Sequence, residues 1–150
     1  MSPALSRTDV EPSLVAGLRL VLMRLSRRLR QQSEGDVTAS MLSALSSIAR
    51  LGPLTLGELA AVEQVQPPSM TKIVGKLEEQ GLVVRAPDER DRRVTRVRVS
   101  EDGAAYVVRS RTLRNAYLAE RLERLTGPER ALLQRALPLL ERLVDDEPGR

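Results

Sequence analysis

The chain has 150 residues, and 41% of them are hydrophobic, which is enough to bury the core of one domain without disulfides or metal. It contains no Cys and no His, which excludes disulfides, thiol chemistry and Cys-ligated zinc and removes the commonest general base, so we expect neither an enzyme nor a cofactor or metal. The net charge is only +4, from 24 basic and 20 acidic residues, so nucleic-acid binding must be judged from where the cations lie.

The sequence contains no signal for membrane insertion or secretion. No apolar run approaches the roughly 20 residues of a membrane-spanning helix, and the first residues lack the layout of a signal peptide. We therefore expect a cytoplasmic protein without a membrane partner.

Two amphipathic helices are predicted before residue 52. In the first, which opens at Pro12, and in the second, which Thr38 can cap, apolar side chains recur at helical spacing. The first helix ends in several arginines, which suit the negative end of a helix dipole and are interpreted as a solvated face. Gly52 and Pro53 end the second helix. The recurring apolar side chains are Leu14, Leu18, Val21, Leu22, Leu25 and Leu29 in the first helix and Met41, Leu42, Leu45, Ile48 and Leu51 in the second.

A pair of short helices follows. Thr55 and Glu58 have the spacing of a capping box, which predicts a third helix over residues 55–62. After a tight connection at residues 63–65, Pro67 and Pro68 can occupy the first turn of a fourth helix, where a missing N–H costs nothing. The fourth helix is expected to end at Gly81, and the pair has the arrangement of a helix-turn-helix.

The hydrophobic period changes after residue 82. Residues 83–85 are expected to be extended, residues 87–93 to form a charged turn, and residues 94–100 to alternate between apolar and polar side chains, which together predict a β-hairpin. Ser100 then caps a fifth helix that runs to about residue 125. A second capping box, Thr126 and Glu129, begins a sixth helix, which Pro138 is expected to kink or split. The predicted fold class is mainly α with a small β-hairpin.

The exposed face of the fourth helix is the first candidate binding surface. In a helix-turn-helix the second helix enters the major groove of DNA, so the side chains opposite its buried face would contact bases and phosphates. These side chains are Gln66, Pro67, Ser69, Thr71, Lys72 and Lys76. Taken alone, they could equally be the solvated side of an amphipathic helix.

The charged turn of the hairpin favours the DNA interpretation, because arginine on a narrow projection suits the minor groove, where negative potential is concentrated. Asp88 and Asp91 are interpreted as salt-bridging residues that stabilise this wing, in preference to a catalytic or metal-binding role. The predicted DNA contacts here are Arg85, Arg90, Arg92 and Arg93. The full set of charges in the hairpin is Arg85, Arg90, Arg92, Arg93, Arg96 and Arg98 against Asp88, Glu89 and Asp91.

These residues resemble the MarR (multiple antibiotic resistance regulator) family. Residues 66–82 are similar to its recognition helix, and the D-x-R-D-x-R pattern of residues 88–93, followed by Ser100-Glu-Asp-Gly103, is similar to its wing. The resemblance implies a single domain over residues 1–150, with a winged helix-turn-helix lobe at residues 38–100 and dimerisation helices at residues 12–33 and 101–145.

The same resemblance implies a homodimeric transcription regulator, expected to be a repressor, on a pseudo-palindromic operator in double-stranded DNA. Helix 66–80 would lie in the major groove and the wing, residues 83–100, in the minor groove. By carry-over, Ser69, Thr71 and Lys72 would face DNA, and Arg90 would be the minor-groove arginine. Asp88, Asp91 and Arg93 would belong to the pattern that fixes the wing.

Many relatives respond to small amphipathic effectors in a cleft, which here would be lined by Leu22, Met41, Leu45 and Val108. These four positions are more readily explained as core. Only two Tyr, and no Trp, Phe or His, are available to hold an aromatic ligand. Two alternatives therefore stay open: a constitutive DNA-binding protein without an effector, and a helical protein-interaction adaptor.

Overall fold

The computed structural model describes residues 10–33 and 35–144. The chain is mainly α-helical with one small hairpin, which confirms the predicted fold class. It divides into two compact units, residues 1–114 and 115–150. The predicted single domain and the predicted helical stretch to residue 145 extend into residues 1–9 and 145–150, which lie outside the described residues. The elements in chain order are α1 (Pro12–Arg30), α2 (Ala39–Leu51), α3 (Leu56–Glu63), α4 (Pro67–Glu79), β1 (Val83–Pro87), β2 (Thr95–Val99), α5 (Glu101–Glu123) and α6 (Gly127–Val144).

Both predicted capping boxes are present. At the start of α3, the N–H of Glu58 donates to Thr55 Oγ1 at 3.1 Å, and the N–H of Thr55 donates to Glu58 Oε2 at 2.8 Å. At the start of α6, the N–H of Thr126 donates to Glu129 Oε2 at 2.7 Å, and the reciprocal bond measures 3.4 Å. Each pair satisfies two backbone donors that a helix end otherwise leaves without partners, which fixes where these helices begin.

The core lies in the first unit, where α2, α3, α4, the hairpin and the first turns of α5 contribute buried apolar side chains. Thr38 caps α2 as predicted, because its Oγ1 accepts the N–H of Met41 at 3.3 Å. Burying one such aliphatic side chain stabilises a fold by about 1.5–3 kcal/mol, so this aliphatic set can hold the unit together. Its largest fully buried members are Met41, Leu45, Ile48, Leu59, Met70, Leu77, Val74, Val83 and Val97.

β1 extends further toward the turn than predicted, whereas β2 begins at Thr95, one residue later than predicted. β1 and β2 pair antiparallel, with Val83 opposite Val99 and Pro87 opposite Thr95. Pro87 was expected in the turn, but it is the last residue of β1, an edge strand, in which a proline need not donate to the ladder. The loop that follows is closed by the Asp88 N–H, which donates to the Val94 carbonyl at 2.8 Å.

β2 also has a backbone partner that the sequence did not predict. The N–H of Leu54 donates to the Val97 carbonyl at 3.0 Å, and the N–H of Val97 donates back at 2.7 Å. This isolated bridge joins the segment before α3 to β2. The wing is therefore tied at its base to the helix-turn-helix.

The junction of α4, the hairpin and α5 is packed around Ser100 and Gly103. Ser100 Oγ donates to the Gly81 carbonyl at 2.6 Å and accepts the Gly103 N–H at 3.0 Å. A Cβ atom at position 103 would lie 1.9 Å from the carbonyl oxygen of Leu82. The Ser-x-x-Gly pattern thus has a physical reason: the serine caps α5, and the glycine lets the backbone of residue 82 pass against it.

Neither α1 nor α6 contains a buried residue among the described ones. The side chain of Leu14 is 62% exposed and that of Leu132 is 59% exposed. The helix α6 continues through Pro138, so of the two predicted outcomes, a kink or a split, the split does not occur. Proline removes one helical hydrogen bond, and the backbone hydrogen bonds before and after Pro138 keep the helix continuous.

Candidate nucleic-acid interface

The turn between α3 and α4 has a defined backbone geometry. Gln64 adopts the left-handed conformation, with φ of 53°, directly after α3. The Val65 N–H donates to the Ala60 carbonyl at 3.0 Å, which closes the end of α3. The connection lies at residues 64–66, one position later than predicted, because Glu63 still belongs to α3. Two helices joined by so short a turn have a fixed mutual angle.

Glu63 holds this turn against α2 through two serines. Its Oε1 accepts the hydroxyl of Ser47 at 2.5 Å, and its Oε2 accepts the hydroxyl of Ser43 at 2.6 Å. Ser47 is only 7% exposed, so its hydroxyl is shielded from water and depends on Glu63 as its hydrogen-bond acceptor. Sequence reasoning missed this cluster; the signal was a pair of serines four residues apart on α2 and one acid before the turn.

α4 has the predicted two faces. Met70, Val74 and Leu77 are buried in the core. The hydroxyl of Thr71 donates to the Pro67 carbonyl at 3.0 Å, which leaves its oxygen free only to accept from a partner. The exposed face has both donors and acceptors for base edges and cations for phosphates. All six predicted binding residues of this region are exposed: Gln66, Pro67, Ser69, Thr71, Lys72 and Lys76.

Arg85 is held differently from the other predicted wing contacts. Its Nε donates to Glu78 Oε2 at 3.0 Å, which joins β1 to the end of α4. Its guanidinium is therefore engaged within the protein before any ligand arrives. The sequence placed Arg85 among the DNA-binding residues, and the structure gives it an internal partner seven residues away.

The loop of the wing is shaped by its two aspartates. Asp88 Oδ1 accepts the N–H groups of Arg90 at 2.8 Å and Asp91 at 3.0 Å. Asp91 Oδ1 accepts the N–H of Arg93 at 3.0 Å. Within the described residues, Asp91 has no ion pair with an arginine, so the salt bridge expected for it is absent and its bond to the backbone replaces it.

Asp88 also forms an ion pair with Arg96, from Oδ2 to Nε. This hydrogen bond from Arg96, followed by the N–H bonds of Asp91 and Arg90, lowers the pKa of Asp88 from 3.8 to about 2. On its other side, Arg96 Nη1 donates to Glu58 Oε2 at 3.0 Å. The pKa of Glu58 is also lowered, first by the N–H of Thr55 and then by the charge of Arg96.

The remaining wing arginines project into solvent. They are exposed and have no carboxylate partner among the described residues, so their charge is available to an anionic ligand. Two of the predicted contacts, Arg92 and Arg93, lie beside Arg90 in the loop. A narrow loop that carries exposed arginines can enter a DNA minor groove, where the potential is negative. The four exposed arginines are Arg90, Arg92, Arg93 and Arg98.

The four residues predicted to line an effector cleft differ in their exposure within the single chain. Met41 and Leu45 are buried in the core, at 2% and 0% exposure, as the alternative interpretation expected. Leu22 and Val108 are exposed, at 45% and 60%. Leu22 instead borders a separate cavity of about 430 Å³ whose wall includes Leu42.

The fold and this surface define a winged helix-turn-helix transcription regulator. Residues 37–95 match the MarR family model. An uncharacterized HTH-type transcriptional regulator of Mycobacterium bovis is 44% identical over 141 residues, which cover 93% of this chain and 99% of that protein. The chain belongs to the MarR family, as the resemblance of its sequence implied.

Solved structures give the same result. A transcriptional regulator protein from Pseudomonas aeruginosa has a TM-score of 0.82 and 38% identity, with 93% of this chain and 99% of that chain covered. The structure described as the multiple antibiotic resistance repressor MarR has a TM-score of 0.72 and 28% identity, with 88% and 96% covered. The relatives in both comparisons are named as transcriptional regulators. Within residues 10–33 and 35–144, no helix is long and apolar enough to cross a membrane.

Proposed function

We propose that the chain is a cytoplasmic, homodimeric repressor that binds a pseudo-palindromic operator in double-stranded DNA. In each subunit α4 lies in the major groove and the wing lies in the flanking minor groove. The observation that carries the proposal is the set of exposed wing arginines that have no carboxylate partner among the described residues, together with the exposed polar face of α4. These two surfaces combine base-reading groups with groups that neutralise phosphate charge.

The proposed dimer rests on α1 and α6. Both helices carry leucines at helical spacing, and these side chains are exposed in the single chain. Exposed apolar stripes of this extent mark association surfaces, and a second copy supplies the same kind of surface in return. Leu137 and Leu143, at 54% and 68% exposure, illustrate the stripe on α6.

The first experiment selects duplexes from a random library and then measures affinity for the selected site. Arg90→Ala is expected to weaken binding about 10- to 100-fold, as for the loss of a groove-reading arginine, while sedimentation still shows a dimer. Arg50→Ala is the matched control, since Arg50 is an exposed arginine at the end of α2, outside α4 and the wing, and affinity should be unchanged. Unchanged affinity of the Arg90 variant would sink the wing assignment.

The selected sequences test the geometry separately. A dimer predicts two-fold symmetric sites with half-sites about 10 base pairs apart. Changes at Ser69 or Thr71 should alter base preference more than general affinity. If duplex binding is absent, or does not weaken as salt rises, the adaptor alternative is favoured.

A small amphipathic effector is a further part of the proposal. The cavity of about 430 Å³ beside α1 and α2 has an apolar wall and the guanidinium of Arg114, whose Nε is buried without a partner among the described residues. Arg114 also donates from Nη2 to Ser33 Oγ at 3.0 Å. An apolar acid fits this chemistry, and titrating such acids against the protein–DNA complex distinguishes a regulated repressor from a constitutive DNA-binding protein.

A further inference from the structure

Arg96 differs from every other arginine in the wing because carboxylates hold it on two sides. Its side chain is 32% exposed, and its Nε and Nη1 donate to Asp88 and Glu58. The two acids lie 30 positions apart in sequence, one in the wing loop and one in the first turn of α3. Arg96 thus connects the wing loop to α3, whereas Arg85 connects β1 to α4.

The connection is rigid at the helix end. The same oxygen of Glu58 that accepts Arg96 Nη1 at 3.0 Å also accepts the N–H of Thr55 at 2.8 Å. The capping box fixes the carboxylate of Glu58 in place, because Thr55 Oγ1 in turn accepts the N–H of Glu58. Arg96 therefore binds a group whose position is set by the helix backbone.

The connection is also rigid at the wing end. One oxygen of Asp88 pairs with Arg96, and the other accepts the N–H groups of Arg90 and Asp91. The side chain of Asp88 is only 17% exposed. The N–H of Arg90 is thus linked to Glu58, in the first turn of α3, through the side chains of Asp88 and Arg96.

We propose that Arg96 is a positioning residue that fixes the wing loop, and with it Arg90, relative to the helix-turn-helix, and that it does not itself contact DNA. This inference rests on the proposed function, in which the wing enters the minor groove. Two carboxylates balance the charge of Arg96, so little of it remains to attract phosphate. The planar guanidinium matters because it can direct two N–H groups at two fixed acids at once.

The test is a double-mutant cycle for operator affinity. Arg96→Gln is expected to weaken binding about tenfold in the parent protein and less than about threefold when Arg90 is already alanine, because its effect passes through the wing. Arg98→Gln is the matched control, since Arg98 lies on the same strand, is exposed and has no ion pair among the described residues. The fold-change in operator affinity caused by Arg98→Gln should be the same in the parent protein and in the Arg90→Ala variant.

Additive effects of Arg96→Gln and Arg90→Ala would overturn the inference, because a direct DNA contact or general damage to the lobe would both weaken binding independently of Arg90. Arg96→Lys keeps the charge and loses the planar fork, so it should bind DNA as weakly as the glutamine variant; full rescue by lysine would also overturn it. If Arg90→Ala alone leaves affinity unchanged, the proposed wing function itself fails, and this inference fails with it.

Discussion

Gly103 is the glycine at which an added methyl group has the least room among the described residues. A Cβ there would lie 1.9 Å from the Leu82 carbonyl oxygen and 2.9 Å from both the Leu82 carbonyl carbon and Val99 Cγ2. Ordinary contacts are about 3.5 Å or longer, so Gly103→Ala must push the two backbone segments apart by about 1.5 Å. A carbonyl oxygen of the main chain cannot rotate away as a side chain can.

The expected cost follows from this geometry. Overpacking a folded interior costs about 1–3 kcal/mol, and a backbone clash places Gly103→Ala at the upper end, near about 3 kcal/mol. The displacement also endangers the bond from the Ser100 N–H to the Leu82 carbonyl, 3.0 Å long, and the Ser100 cap of the Gly103 N–H. The free energy of unfolding of the first unit should therefore fall.

Denaturant unfolding followed by circular dichroism measures this change. Gly75→Ala is the matched control, because Gly75 lies inside α4 with no atom within 4 Å of the added Cβ. That variant should be more stable by about 0.5–1 kcal/mol, the usual advantage of alanine in a helix. The packing argument is refuted if the Gly103 variant unfolds at the same denaturant concentration as the parent protein.

Two further predictions concern the carboxylates around the site. The pKa of Asp88 is lowered to about 2 in the folded chain, so its stabilising effect is complete above the unfolded value of 3.8 and is lost as pH falls toward 2. The Tm difference between the parent and Asp88→Asn should therefore shrink between about pH 5 and pH 2; a constant difference would contradict the assigned pKa. Glu63→Ala should lower the free energy of unfolding by about 1–3 kcal/mol, because the hydroxyl of Ser47 loses its acceptor. The exposed Glu79→Ala is its control, and equal effects of the two variants would refute the role given to Ser47.

Local signals in the sequence predicted the helix starts and the hairpin. Thr55 and Glu58 are three residues apart, so their reciprocal bonds can be anticipated without a fold. The end of β1 was misplaced because Pro87 was interpreted as a turn residue, although an edge strand such as β1 also tolerates proline. Interactions of short range were thus within reach of sequence reasoning.

The side-chain network of the site was not within reach. Arg96 meets Glu58 38 positions away, and Ser43 meets Glu63 20 positions away. Nothing in the spacing of these residues distinguishes them from other charges and hydroxyls on the surface. Their partners are chosen by how α2, α3 and the hairpin pack, which only the folded chain shows.

Hydrophobic spacing has the same limit at the helices outside the DNA-binding lobe. α1 and α2 both carry apolar side chains at helical spacing, yet α2 buries Met41 and Leu45 while α1 leaves Leu14 exposed. The period identifies the apolar face of a helix, and it does not say whether the same chain covers that face. Under the proposed dimer the covering surface comes from a second copy.

That proposal has a thermodynamic consequence. Most of the stability of a helix in a protein comes from packing its apolar face rather than from the intrinsic helix propensity of its residues. α1 and α6, with 19 and 18 residues, bury no side chain of their own among the described residues. Their helical state is then linked to association, so the stability of these helices should rise with protein concentration, whereas the lobe formed by α2, α3, α4 and the hairpin has its own core and should not depend on concentration in this way.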